Sequence, residues 1–227
     1  MSQPLQILYE DNHLLAVVKP AGIATMGVAA DVPSLLALAR DYVKDKYQKP
    51  GNVYLGTVSR LDAPVSGVVL FARTSKAAAR LSEQFRDRTV EKSYWALVEG
   101  RPPPAAEWTD WLAEDDRHRK MHVVGAAAAG AKEARLAYRL LRALPGEPAS
   151  LLEVLLETGR KHQIRVQLAW HGYPVLGDRK YGARSAFPHG IGLHARRLAV
   201  AHPIGGKRLE LIAPLPRIWR SRGIEDA

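Results

Sequence analysis

The chain has 227 residues, 47% of them hydrophobic, enough to bury a sizeable core, and it has no cysteine, which excludes disulfides, thiolate catalysis and cysteine-bound zinc. Lysine and arginine number 33 against 23 acids, a formal charge of +10 that favours a polyanionic partner: RNA, DNA or an anionic membrane surface. No apolar run approaches the roughly 18 residues of a membrane-spanning helix, and the N-terminus lacks a basic region followed by an apolar core, so a soluble, cytoplasmic protein without a membrane segment is expected.

From the N-terminus, QILYE and HLLAVVKP are short apolar runs parted by the turn-forming pair Asp11-Asn12, a hairpin pattern that ends at Pro20 and Gly22. Ser34 to Gln48 spaces Leu35, Leu38, Tyr42 and the stem of Lys46 at helical period, with Ser34 as cap and Pro50-Gly51 as stop. GVVLFAR reads as a strand, Ser75 as the cap of a second helix SKAAARLSEQFRDR, and VEKSYWALVEG as a returning strand. Between a proline-rich stretch at Arg101 to Ala106 and an alanine- and glycine-rich one at Val124 to Ala131, WTDWLAEDDRHRKMHV reads as a peripheral hairpin rather than core. EARLAYRLLRAL and SLLEVLLETG, parted by Pro145 to Pro148, read as paired strands, and RLAVAHP and KRLELIAP supply two more. Strands joined by short turns with a few separate helices predict an α+β fold, a mixed and mainly antiparallel central sheet with flanking helices, in a single domain over residues 1–227.

Three apparent motifs fail on context. GIGLHA fits a dinucleotide fingerprint, but too little chain follows it for the rest of a doubly wound sheet. IGGKR lacks the first glycine of a phosphate loop and has Arg208 where a serine or threonine should hold magnesium. His118 and His122 are four apart, yet no nearby glutamate completes a zinc pattern amid arginine and lysine.

Two clusters survive. In VSRLDAPVSGVVLF a carboxylate stands before a run built for burial. In an extended segment Arg60 and Asp62 point to one side and Leu61 to the other. Pro64 and Gly67 then shape a loop that delivers Asp62 at the edge of the GVVLF strand; a turn aspartate binding its own backbone is the alternative. In TGRKHQIRVQLAWHG, Arg160, Lys161, His162 and Arg165 fall within six residues, a density suited to phosphate contacts or an ion pair. Its period is open between strand and helix, since Ile164, Val166, Leu168 and Trp170 alternate while the length and closing Gly172 suit a helix.

SRLDAPVSGVVLFART, EKSYWALVEG, TGRKHQIRVQL, GDRKYG and LHARRLAVAHP, in this order and spacing, resemble the RluA family of pseudouridine synthases, and ILYEDNHLLAVVKPAG resembles that family's opening segment. The matches run from residue 7 to about residue 216. Two positions depart from the family pattern: Ser59 stands where the family's histidine precedes RLD, and Val65 replaces a threonine before Ser66-Gly67.

The resemblance implies isomerisation of a uridine already in RNA. The bond from base nitrogen to ribose breaks, the base turns, and carbon 5 joins the same sugar carbon, with no cofactor, metal or energy input. It assigns the nucleophile to Asp62, a carboxylate that can add and leave again. Arg165 is its implied cation, needed because a desolvated carboxylate otherwise takes up a proton. Tyr94 is the implied base and stacking residue beside the flipped ring. Arg60 is the candidate to fill the space the base vacates. Arg160, Lys161 and His162, with the basic stretches RDRTVEK, DRHRKMH and ARRLAVAH, are candidates to follow the RNA backbone. The expected partner is transfer RNA or large-subunit ribosomal RNA, bound by a monomer without an additional N-terminal RNA-binding domain. A catalytically inactive RNA-binding or ribosome-assembly protein of the same fold is the alternative, and a nuclease using His162 or His194 is a second.

Overall fold

The structure, a computed structural model, describes residues 5–29, 31–115, 117, 118 and 120–225. In chain order its elements are β1 (Gln6–Glu10), β2 (Leu14–Lys19), α1 (Leu35–Lys46), β3 (Gly56–Thr57), β4 (Ser66–Ala72), α2 (Ser75–Arg86), β5 (Glu91–Glu99), β6 (Ala105–Asp115) and β7 (Lys120–Val124). They continue with β8 (Lys132–Ala143), β9 (Ala149–Leu156), α3 (Gln163–Trp170), a 3-10 turn (Arg179–Tyr181), β10 (Leu193–Ala201), β11 (Arg208–Ile212) and α4 (Arg217–Arg220). The class is α+β, with mainly antiparallel strands and flanking helices. The chain divides into two compact units, residues 1–90 with 195–227, and residues 91–194.

In the first unit β1, β2, β4 and β10 lie side by side in that order, with β3 on β4 and β11 on β10. The Asp11 carboxylate makes the β1–β2 turn by accepting from the backbone nitrogens of His13 and Leu14, both at 2.7 Å. Ser34 caps α1, its hydroxyl accepting from the Ala37 nitrogen at 3.2 Å. The buried face of α1, Leu35, Ala39 and Val43, packs on Leu15 and Val17 of β2 and on Val69 and Phe71 of β4. At about 1.5–3 kcal/mol per buried large aliphatic or aromatic side chain, this cluster is the main anchor for the loops that carry the polar groups. The cap of α2 lies one residue earlier than predicted: Thr74, not Ser75, accepts from the Ala77 nitrogen, at 3.1 Å. Thr74 has the extended backbone of a cap, whereas Ser75 is already helical.

In the second unit the order is β5, β9, β8, β6, β7, with every neighbouring pair antiparallel. The β6–β7 hairpin is not merely peripheral: Leu112 and Met121 are buried in a cluster with Ala134, Val166 and Tyr181. Two apolar residues among many charges were enough to make one face of the hairpin core. TGRKHQIRVQLAWHG resolves into α3, whose residues Gln163 to Leu168 are all buried. A helix enclosed on nearly all sides has no polar face, so its sequence carries no amphipathic period to set against the chance alternation.

Candidate active site

Asp62 lies in the first unit, in a segment that joins no sheet ladder and is held by main-chain bonds. Thr25 brackets the preceding residue, its hydroxyl accepting from Leu61 N at 3.1 Å and donating to Leu61 O at 2.9 Å. Val65 N donates to Asp62 O at 3.0 Å, closing a turn over Ala63-Pro64. Leu61 packs against the α1 cluster, Arg60 is exposed and Asp62 is half-buried. The two departures from the family pattern have local tasks. The Ser59 hydroxyl accepts from Leu70 N of β4 at 3.2 Å, and Val65 is buried.

Beneath this turn lies Lys19, wholly buried. Its ammonium donates to the carbonyls of Pro20 at 2.9 Å, Ile23 at 2.6 Å and Ala63 at 3.1 Å. Ala63 O also accepts from Gly22 N at 2.8 Å, so one carbonyl beside Asp62 joins the end of β2, the following loop and the turn. Burial pulls the Lys19 ammonium down to about 8, against the opposing pull of the Asp62 charge. Gly67, the residue facing Lys19 across β2 and β4, has φ +125°, and a Cβ there would come within 2.3 Å of Ala195 O, so only glycine fits.

Arg165, Tyr94, Arg160, Lys161 and His162 belong to the second unit. Tyr94 is a half-buried residue of β5, opposite Val154 of β9, on the strand face it shares with Ala96 and Val98. The start of α3 is built from side chains. The Gln163 carbonyl oxygen accepts from the Thr158 hydroxyl at 2.8 Å and from Arg160 N at 3.0 Å, and its amide donates to Arg135 O at 3.0 Å. His162 takes the left-handed conformation, φ 54°, and its Nδ1 lies 2.7 Å from the Tyr181 hydroxyl. Arg165 is 5% exposed and forms a bidentate pair with Asp178, Nε to Oδ2 at 2.6 Å and Nη2 to Oδ1 at 2.9 Å.

The RNA-contact candidates of this cluster are engaged within the protein: Arg160 Nε donates to Glu133 O at 2.9 Å, and Lys161 pairs with Glu114. Trp108 stacks on His171, ring centroids 3.9 Å apart, with His171 Nε2 at 3.1 Å from the Asp110 carboxylate. His118 and His122 both lean on Asp115, at 2.7 and 3.7 Å. In the basic stretch DRHRKMH, Asp116 and Arg119 lie outside the described residues. No helix among the described residues is long and apolar enough to cross a membrane.

Lys19, Thr25, Asp178 and Tyr181 were not singled out from the sequence. Two signals were available: GDRKYG, already among the segments resembling the family, holds Asp178 and Tyr181, and a lysine closes the apolar run LLAVVK, where an exposed end is the ordinary expectation.

Comparison with known proteins agrees with the motifs. A sequence model for RNA pseudouridylate synthase matches residues 13–170, a span that contains Asp62, Tyr94 and Arg165. The chain is 35% identical over 225 residues to a ribosomal large subunit pseudouridine synthase D of Zymomonas mobilis, covering 94% of this chain and 70% of that protein. It is 32% identical over 218 residues to a ribosomal large subunit pseudouridine synthase C of Rickettsia typhi, covering 95% and 70%. Among solved structures, human RNA Pseudouridylate Synthase Domain Containing 4 superposes with a TM-score of 0.79 at 26% identity, covering 96% of this chain and 91% of that one.

Proposed function

The chain belongs to the RluA family of RNA pseudouridine synthases, and from that premise we propose that it converts uridines of large-subunit ribosomal RNA to pseudouridine, with Asp62 as the nucleophile. The observation that carries the choice of RNA is the near-complete coverage of this chain by relatives whose names specify the large ribosomal subunit.

The chemistry divides among three side chains. The Asp62 carboxylate adds at the sugar as the bond to the base nitrogen breaks, and leaves when carbon 5 attacks. Arg165 supplies the positive charge that keeps that carboxylate ionised once water is excluded. Tyr94 stacks on the flipped ring and takes the proton that carbon 5 loses. A proton returns to the base nitrogen, so atoms and charge balance without an oxidant or a nucleotide. The target base must leave its stack, at a cost of about a few kcal/mol that is least in loops, and Arg60 is exposed and able to fill the gap. The enzyme works as a monomer.

The test is to incubate the protein with large-subunit ribosomal RNA and, separately, with total transfer RNA, and to map pseudouridine in each. New pseudouridine in the ribosomal RNA, with no change in mass or chain length, is expected. Modification of transfer RNA alone would overturn the substrate, and chain scission would overturn the reaction class. Tight binding without modification would support an inactive RNA-binding protein instead.

A further inference from the structure

The proposed reaction gives no task to the segment GDRKYG, residues 177–182, although Asp178 and Tyr181 are among the buried polar side chains of the second unit. Asp178 is 2% exposed, and both its oxygens accept from Arg165, from Nε at 2.6 Å and Nη2 at 2.9 Å. The Tyr181 ring lies 5.1 Å from the same guanidinium, and its hydroxyl accepts from Met121 N at 3.1 Å and meets His162 Nδ1 at 2.7 Å. The carboxylate is held by a folded turn rather than a loose loop. Asp178 N donates to Val175 O at 3.0 Å, Asp178 O accepts from Tyr181 N at 2.9 Å and Ala183 N at 3.1 Å, and Gly182 turns the chain out at φ +91°.

A buried ion pair is a poor device for stability alone, because apolar residues of the same volume stabilise a core as well or better. What a two-point carboxylate contact does supply is a guanidinium with one position and one plane, which a flexible arginine does not have by itself. We infer that Asp178 is a positioning residue for the reaction: its carboxylate, buried against Nε and Nη2, fixes Arg165 in the pose that turnover requires, with Tyr181 as the wall behind it. This rests on the role proposed for Arg165.

Single and double variants of the full chain decide it. Asp178→Asn is expected to lower kcat about tenfold or more while KM for the RNA stays within about twofold, since the interaction acts on reacting groups and not on RNA affinity. Because Asp178 works through Arg165, the double variant Asp178→Asn/Arg165→Met should be no slower than Arg165→Met alone. Asp178→Glu, which keeps the charge but moves it by one methylene, should recover part of the rate. Full kcat in Asp178→Asn, a loss confined to KM, or losses that multiply in the double variant would overturn the inference. Should Asp178→Asn fail to fold, Asp178→Glu takes its place in the same cycle, and activity that only tracks the folded fraction in both would leave the residue a structural role alone and overturn it. The two proposals fail separately. Turnover by Asp62→Asn removes the nucleophile assignment, whereas an inactive Asp62→Asn beside a fully active Asp178→Asn removes only the positioning role.

Discussion

The turn that carries Asp62 and the helix start that carries Arg165 hold their polar groups by opposite means. In the first unit the main chain is braced: Thr25 clasps Leu61, Val65 N closes on Asp62 O, and Lys19 and Gly22 share Ala63 O. In the second unit side chain holds side chain: the Asp178 carboxylate grips the Arg165 guanidinium, the Tyr181 hydroxyl meets His162, and the Gln163 amide knits Thr158, Arg160 and Arg135. A group displayed on a braced main chain can be exchanged without loosening its support. A group held by another buried charge cannot, because its removal strands the partner.

The sharpest test of that contrast is Asp62→Asn. The braces named above use the backbone of residues 61 to 65, so the amide keeps the turn, while the nucleophile is gone. Turnover should fall by at least about a thousandfold. The melting temperature should stay within about 2 °C, the shift that about 0.5 kcal/mol gives a chain of this size, because the amide has the carboxylate's shape and the main-chain braces are kept. A large loss of stability would mean that the carboxylate itself braces the turn, and the contrast would break.

Arg165→Met should behave in the other way, losing rate and stability together. It leaves the Asp178 carboxylate buried without its bidentate partner, at a cost of about 3–5 kcal/mol, which lowers the melting temperature by on the order of 10 °C. Calorimetry on the parent and variant reads this directly. An unchanged melting temperature would show that Asp178 does not depend on Arg165, and the second unit would then be as tolerant as the first.

Lys19 is the one charged side chain within the brace of the first unit, and its signature is a pH dependence of opposite sign to that of a lysine gaining a carboxylate partner. Its folded pKa lies at about 8 against an ordinary value of 10.5, because burial disfavours the ammonium. Between those values the unfolded chain holds a proton that the folded chain has released, so this residue makes the fold more stable as pH rises through the window, and that gain is lost as pH falls back to 8. Measured against Lys19→Met by denaturant unfolding, the parent should gain about 2–3 kcal/mol between roughly pH 8 and pH 10. A difference that stays flat across the window would mean that burial does not depress the Lys19 ammonium.

How much of this was legible in the sequence follows the same division. The Asp11-Asn12 hairpin, the Ser34 cap of α1 and the placing of Asp62 just before a run built for burial are local features, and local pattern finds them. Asp178 was hidden because it meets Arg165 across 13 residues with no periodic relation between them. Lys19 was hidden because a lysine ending a strand ordinarily snorkels to water, and it is the carbonyls of Pro20, Ile23 and Ala63, gathered around the ammonium by the fold, that make burial tolerable. The core role of the β6–β7 hairpin was missed because Leu112 and Met121 are sparse among charges, although both join the cluster that holds Val166 of α3 once the hairpin closes.

The smallest effect belongs to Lys161. It lies two residues before the helix, next to the most tightly held part of the second unit, yet it is exposed and its contact with Glu114 is a surface ion pair. Such pairs contribute about 0–1 kcal/mol and are screened by salt, so Lys161→Ala should leave the melting temperature nearly unchanged. Its effect should appear in RNA binding instead. An ammonium that exchanges Glu114 for a phosphate releases one counterion, so the variant's dependence of log affinity on log salt should be shallower by about one unit, with kcat intact. An unchanged slope would confine Lys161 to the Glu114 pair, whereas a fall in melting temperature of several degrees would extend the buried, side-chain-held character of α3 out to its surface.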